Sequence, residues 1–236
     1  MFWPGNWIVL SSGAGDCLPV CILLDLPMNR QQCLPVLLAL TVREVVRGYT
    51  ARRWGDHTAE QYGRLTLNPL PHIDPIGTVL VPLFCLMLSA PFLFGWARPI
   101  PIDSRNFRDP RRAWRWIAVS GPLANLLMAF FWGLVIVSAI YVPENFQSPL
   151  VQMAGYGILI NAVLFALNLI PILPWDGGII IDTFLPAKQS MQFRKIEPYG
   201  TWIILILLFT GLLGKLIMPM VAAVQIAVQA LMTLFV

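Results

Sequence analysis

Charge is scarce in this chain. Only 12% of its 236 residues are Asp, Glu, Lys or Arg, against 57% hydrophobic. With a mean hydropathy of +0.70, this excludes an ordinary soluble domain. The net charge of +4 is too modest to suggest a nucleic-acid surface, and no nucleic-acid partner is expected. The 16 basic residues cluster near the ends of apolar runs, where they orient a membrane protein and sit against anionic headgroups, so the expected surrounding is a lipid bilayer. Histidine is nearly absent: His57 and His72 stand alone. The four cysteines, Cys17, Cys21, Cys33 and Cys85, form no C-x-x-C pair and read as buried thiols, not as a metal site or a disulfide framework. There is no internal repeat or low-complexity tract, and the N-terminus lacks the basic region and small-residue cleavage site of a signal peptide.

What is present is a series of apolar runs. Residues 1–27, broken by Gly5, Gly13, Gly15, Asp16, Pro19 and Asp25, are expected to be a poorly structured extension, and Met28 looks the more natural beginning. Residues 28–236 then form a single membrane-embedded domain. A helix is predicted from Leu34 to about Trp54, closed by Gly55-Asp56. Residues 57–77 carry three prolines and two glycines and cannot form one helix. Thr78 to Gly95, with Pro82 and Pro91 inside it, either spans or re-enters. Six arginines against Asp103 and Asp109 mark residues 96–115 as cytoplasmic. Trp116 to Val142 is a span, residues 143–149 an outside turn, and Leu150 to about Leu173 a return span. Lys188, Arg194 and Lys195 mark another inside loop, and Trp202 to Leu213 and Leu216 to Val236 supply one long or two joined helices. Because residues 52–64 and 96–115 both read as cytoplasmic, residues 65–95 are expected to dip into the membrane as a hairpin. The fold class is an all-α, polytopic integral membrane protein: a helical bundle of about five or six membrane segments with an irregular or re-entrant stretch after the first helix.

Three short motifs carry chemistry. Arg43-Glu44-Val45-Val46-Arg47 has the spacing of H-E-x-x-H, in which two imidazoles on one helical face bind Zn²⁺ and the glutamate activates the metal-bound water. Here arginine occupies both ligand positions, and a guanidinium has no lone pair to give a metal. Taken alone, R-E-x-x-R is an ordinary helix with an ion pair. In Asn168-x-x-Pro171-x-x-x-x-Asp176-Gly177-Gly178, prolines and glycines interrupt an apolar helix and bring a carboxylate to membrane depth, where it is costly and marks a functional site by default. Outside that setting Asp-Gly-Gly is a turn. Ser120-Gly121-Pro122-x-x-Asn125 offers close helix approach and a hydrogen-bonding side chain, and is likewise ambiguous alone.

In this order the motifs resemble those of the bacterial site-2 proteases, the intramembrane zinc metalloproteases. The resemblance covers about residues 30–220 and includes Arg52-Arg53-Trp54-Gly55-Asp56, Gly63 to Gly77, Gly95 to Ile102, and Asn106-Phe107-Arg108-Asp109-Pro110-Arg111. It implies that Glu44 stands at the general-base position, Asp176 at the carboxylate zinc ligand, Asn125 at the core-helix asparagine, and Arg43 and Arg47 at the two lost histidine ligands. Trp175 and Ile179 also depart from the family pattern. Zinc is the family's cofactor, and none is expected in this copy. His72 lies in a stretch ordinary for the family and is not a compensating ligand, and His57 is expected to face solvent.

Two arginines beside two carboxylates can neutralise the site without metal. One of Arg43 and Arg47 is expected to fork onto Asp176 and the other to pair with Glu44; in the alternative, both side chains snorkel to the cytoplasmic interface. The implied protein is a pseudoprotease of the bacterial cytoplasmic membrane, multi-pass, that binds the transmembrane helix of a client. The alternative is the parent activity, cleavage of a substrate's transmembrane segment by zinc-bound water with Glu44 as base. That would require the two arginines to be a mutation or an artefact, or another ligand to compensate. A transporter or channel finds little support, because the charges predicted to be buried gather in one place and not along a path.

Overall fold

In the computed structural model, residues 30–68, 70–72, 80, 83, 87 and 98–235 are described, and every regular element among them is helical. Eight α-helices can be numbered in order. They are α1 (Arg30–Arg53), α2 (Thr58–Gln61), α3 (Pro110–Ser138), α4 (Glu144–Asn168), α5 (Asp176–Phe184), α6 (Ala187–Arg194), α7 (Glu197–Phe209) and α8 (Leu212–Met232). The expected extension over residues 1–27, the cysteine side chains and most of residues 73–97 lie outside the described residues.

Helix α3 starts at Pro110, ahead of the span expected from Trp116, because the end of the polar connection already caps a helix. The Asp109 side chain accepts from the Arg112 N–H at 3.1 Å, and Pro110 takes the first helical position, where no N–H is needed. Three helices, α3 with its 3₁₀ extension to Tyr141, α4 and α8, are long and apolar enough to cross a membrane. The shorter α7, 13 residues long, is also apolar. Helix α1 has the length, at 24 residues, but carries Arg43, Glu44, Arg47, Arg52 and Arg53. The count among the described residues therefore stands below the expected five or six. The outside turn expected at residues 143–149 shrinks to Val142-Pro143. Pro143 caps α4, and Pro149 lies within its second turn, where it removes one helical hydrogen bond without stopping the helix. Gly211 separates α7 from α8, so the last apolar stretch is two helices.

The core lies where α3, α4, α7 and α8 meet. Ala129, Ala154, Ala162 and Ala166 are fully buried beside Trp132, Val163, Ile217, Val221 and Val228. Small residues let the backbones approach, and the larger side chains fill the space left. A second cluster of Ala51, Phe107, Ala113 and Ile117 forms at the basic end.

That end is tied by a strap, residues 98–108. The Asp56 carboxylate, 1% exposed, accepts from the Asp103 N–H at 2.9 Å, the Asn106 amide at 2.9 Å, and both the hydroxyl and the N–H of Thr58. Burial pushes the Asp56 carboxyl up, but these bonds outweigh it and hold the group below its ordinary value. Arg64 donates to the carbonyls of Pro71, Arg98 and Pro99, and the Arg98 N–H reaches His72 O at 2.9 Å. Residues 52–64 and 98–108 thus share one end of the bundle. The flanks of the expected hairpin meet there, and within it only Leu65 to Asn68, Leu70 to His72, Leu80, Leu83 and Met87 are described.

Candidate functional site

Four segments converge on one point. Helix α1 presents Arg43, Glu44 and Arg47 at i, i+1 and i+4. Helix α4 ends at Asn168, and the stretch to Trp175, with Pro171 and Pro174, turns the chain so that α5 begins on Asp176. Gly177 makes that turn possible: a Cβ there would stand 2.5 Å from Ile170 O, so any side chain would drive the loop off the first turn of α5. Helix α3 contributes Gly121, where a Cβ would stand 3.0 Å from Asp176 Oδ2, 3.2 Å from Arg47 Cδ and 3.4 Å from Arg43 Nε. Gly121 lies 11 residues past the start of α3, about 16 Å along its axis at 1.5 Å per residue.

The charges form a closed quartet. Arg43 Nη2 donates to Asp176 Oδ2 at 2.6 Å and Arg43 Nη1 to Glu44 Oε1. Arg47 reaches Glu44 Oε1 and Asp176 Oδ1, both at 3.4 Å. The expected division, one arginine for each carboxylate, is corrected: each guanidinium bridges both, because Asp176 sits across from the α1 face that carries both arginines. Snorkelling does not occur, since the Arg43 and Arg47 side chains are 14% and 13% exposed. The second Glu44 oxygen, Oε2, accepts from the Ile100 N–H of the strap at 3.1 Å, and Asn168 Oδ1 accepts from Arg43 Nη2 at 2.8 Å. The formal charges cancel, as a buried group of ions requires.

The donor set does not fit zinc. A catalytic zinc takes three protein ligands with lone pairs and leaves one position for water. Among the described residues no three His, Cys, Asp or Glu side chains gather in that way. Among the described residues Glu44 and Asp176 are the carboxylates at the point, and both are bound by guanidiniums. His72 is buried and bonds Thr66 O at 3.1 Å, while the exposed His57 pairs with Glu60 at 2.9 Å. Neither joins the quartet.

Asn125, expected as the core-helix asparagine, lies inside the bundle. Fully buried, it donates to Ala39 O at 3.3 Å and to Asn161 Oδ1 at 3.0 Å, so it docks α1 on α3 and α4 one turn away from Arg43. Asn161, Asn168, Gly121 and the Ile100 N–H are site or docking elements that sequence reasoning did not assign. Asn168 and Gly121 lay inside quoted motifs and were open to assignment. Asn161 and the Ile100 amide carried no sequence signal.

Comparison with known proteins finds relatives named as zinc metalloproteases. The chain is 37% identical over 194 residues to the Bacillus subtilis protein named "Putative zinc metalloprotease YwhC", covering 80% of this chain and 85% of that one. It is 27% identical to a Mycolicibacterium smegmatis protein named "Putative zinc metalloprotease Rip2", covering 76% of this chain and 66% of that one. It is 25% identical to a Mycobacterium tuberculosis protein of the same name, over 68% of this chain and 63% of that one. No family model matches the chain, and no solved structure matches it.

Proposed function

Since the chain belongs to the zinc metalloprotease family that includes YwhC, we propose that it is a zinc-less pseudoprotease, which holds a client's transmembrane helix and does not cut it. One observation carries the reading: each of Arg43 and Arg47 contacts both carboxylates that zinc chemistry would need. A guanidinium cannot ligate a metal. Glu44 has one oxygen on the arginines and the other on the strap, so it is held as a counter-charge and a tie to the strap, not beside a metal-bound water. The apolar helices support a membrane protein; we place it as a multi-pass protein of the bacterial cytoplasmic membrane with the strap end inside.

The test is metal analysis of the purified protein, together with incubation and crosslinking against a single-span test substrate. The expected result is no stoichiometric zinc, no cleavage, and a crosslinked complex. Stoichiometric zinc or cleavage sinks the pseudoprotease; absence of any complex sinks the client-binding role.

A further inference from the structure

We propose that the cavity between the first turns of α3 and the end of α5, about 410 Å³, binds the phosphate of an anionic phospholipid. This inference rests on the chain lying in a membrane and is independent of the pseudoprotease reading.

The cavity is lined by Arg111, Arg112 and Arg115 with Asp109 as its only acid, and by Phe184 and Leu185. Two of these arginines are fixed in place. Arg111 Nε donates to Thr183 O at 2.9 Å and its Nη2 to Leu185 O. Arg115 donates from Nε to Thr183 Oγ1 at 3.3 Å and from Nη2 to Thr183 O at 3.0 Å, with its guanidinium 4.0 Å from the Phe184 ring centroid. The last carbonyls of α5, the negative end of its dipole, thus brace both forks. Each guanidinium still has an Nη1 with no protein partner among the described residues. Such braced donors lose little freedom on binding, and paired guanidiniums suit the oxygens of a phosphate. Arg112, with its side chain 72% exposed, has Asp109 at 3.2 Å as its one side-chain partner among the described residues. Three positive groups against one negative leave the cavity cationic.

Its level in the bundle selects the source of the phosphate. Arg115 directly precedes Trp116, where the apolar part of α3 begins, and Trp116 and Phe184 are 57% and 66% exposed. Aromatic side chains of this kind mark the headgroup level, where basic pockets between helices hold anionic lipid heads. A lipid bound there could lay its acyl chains along those rings, contacts a free phosphate cannot make. Since the same α5 begins at Asp176, the lipid would also steady the helix that carries the buried carboxylate.

Native mass spectrometry of the full chain in detergent, with phosphatidylglycerol or phosphatidylcholine added, tests this. The wild type should retain phosphatidylglycerol in preference to phosphatidylcholine. Arg112→Gln, an exposed change that leaves the α5 contacts intact, should weaken retention about tenfold, the value of one charge-assisted hydrogen bond. Arg105→Gln, which removes another exposed arginine outside the cavity, should leave retention unchanged. Inorganic phosphate at matched concentration should not displace the lipid. Equal retention of the two lipids, equal loss in both variants, or displacement by inorganic phosphate would each overturn the proposal, the last in favour of a soluble anion.

Discussion

Asp176→Ala removes the carboxylate on which both guanidiniums of the buried quartet converge. Asp176 is 2% exposed, 2.6 Å from Arg43 and 3.4 Å from Arg47, so its loss leaves two guanidiniums facing Glu44 and the Asn168 amide. Breaking a buried pair by removing one partner costs about 3–5 kcal/mol. Asp176 also opens α5, and losing a negative charge in a first helical turn costs about 0.3–1 kcal/mol more. Asp176→Asn keeps the volume and loses the charge, so it reads the lost ion pairs and dipole term together without a cavity. Pairing Asp176→Asn with Arg43→Gln restores neutrality with two uncharged amides of similar reach and should recover about 0.5–3 kcal/mol of coupling. The distances rank the pairs: Arg43 should couple to Asp176 more strongly than Arg47 does. Denaturant unfolding in mixed micelles for the wild type, the single variants and the two double variants measures both couplings. Additive losses, or a larger coupling for Arg47, would show that the quartet does not hold its charges in this way.

Arg43→His with Arg47→His should give a protein that binds stoichiometric zinc by metal analysis, with neither single change sufficient; a folded double variant without zinc would show that Asp176 does not reach the metal position. Gly121→Ala should destabilise by about 1–3 kcal/mol of overpacking less the roughly 0.5–1 kcal/mol that a mid-helix alanine gains, because the added methyl meets at 3.0 Å an Asp176 Oδ2 that the arginines hold in place, and a stabilised variant would refute the close approach. Asp56→Asn should cost about 1–3 kcal/mol at neutral pH. Because the folded carboxyl titrates below its unfolded value, that contribution is present above about pH 4 and fades as pH falls through the folded value. The unfolding difference between wild type and variant should therefore shrink below about pH 4, and a difference independent of pH would exclude the carboxylate's role in holding the strap. Ser104→Cys should be labelled from the cytoplasmic face and Ser148→Cys from the outer face, and the reverse pattern would invert the orientation.

Much of the bundle was legible because its signals are local. The clustered prolines of residues 57–77 forbid a long helix, whereas reading boundaries from apolar runs misplaced two others: α3 begins at Pro110 and not at Trp116, and the last break falls at Gly211 and not at Lys215. Pro149 misled for the same local reason: its rule is set by what precedes it in the helix, and only one turn does. The quartet was half legible. Composition cannot say that Arg43 reaches two carboxylates, because the reach depends on where Asn168 and Pro171 turn the chain. The strap amide of Ile100 on Glu44 was not legible at all, since a backbone N–H has no sequence signature and its position follows from Asp56 and Arg64 binding the strap elsewhere.

The same geometry explains why arginine suits positions 43 and 47. Glu44 and Asp176 lie 6% and 2% exposed, and with apolar residues at 43 and 47 they would stand together without a counter-charge, at a cost of several kcal/mol per ion. A lysine supplies charge at one point. A guanidinium spreads it over a fork that can bond two acceptors at once, and Arg43 uses two of its nitrogens on Glu44, Asp176 and Asn168. Two such forks take up oxygens of both carboxylates, so the groups that neutralise this point also occupy its acceptors.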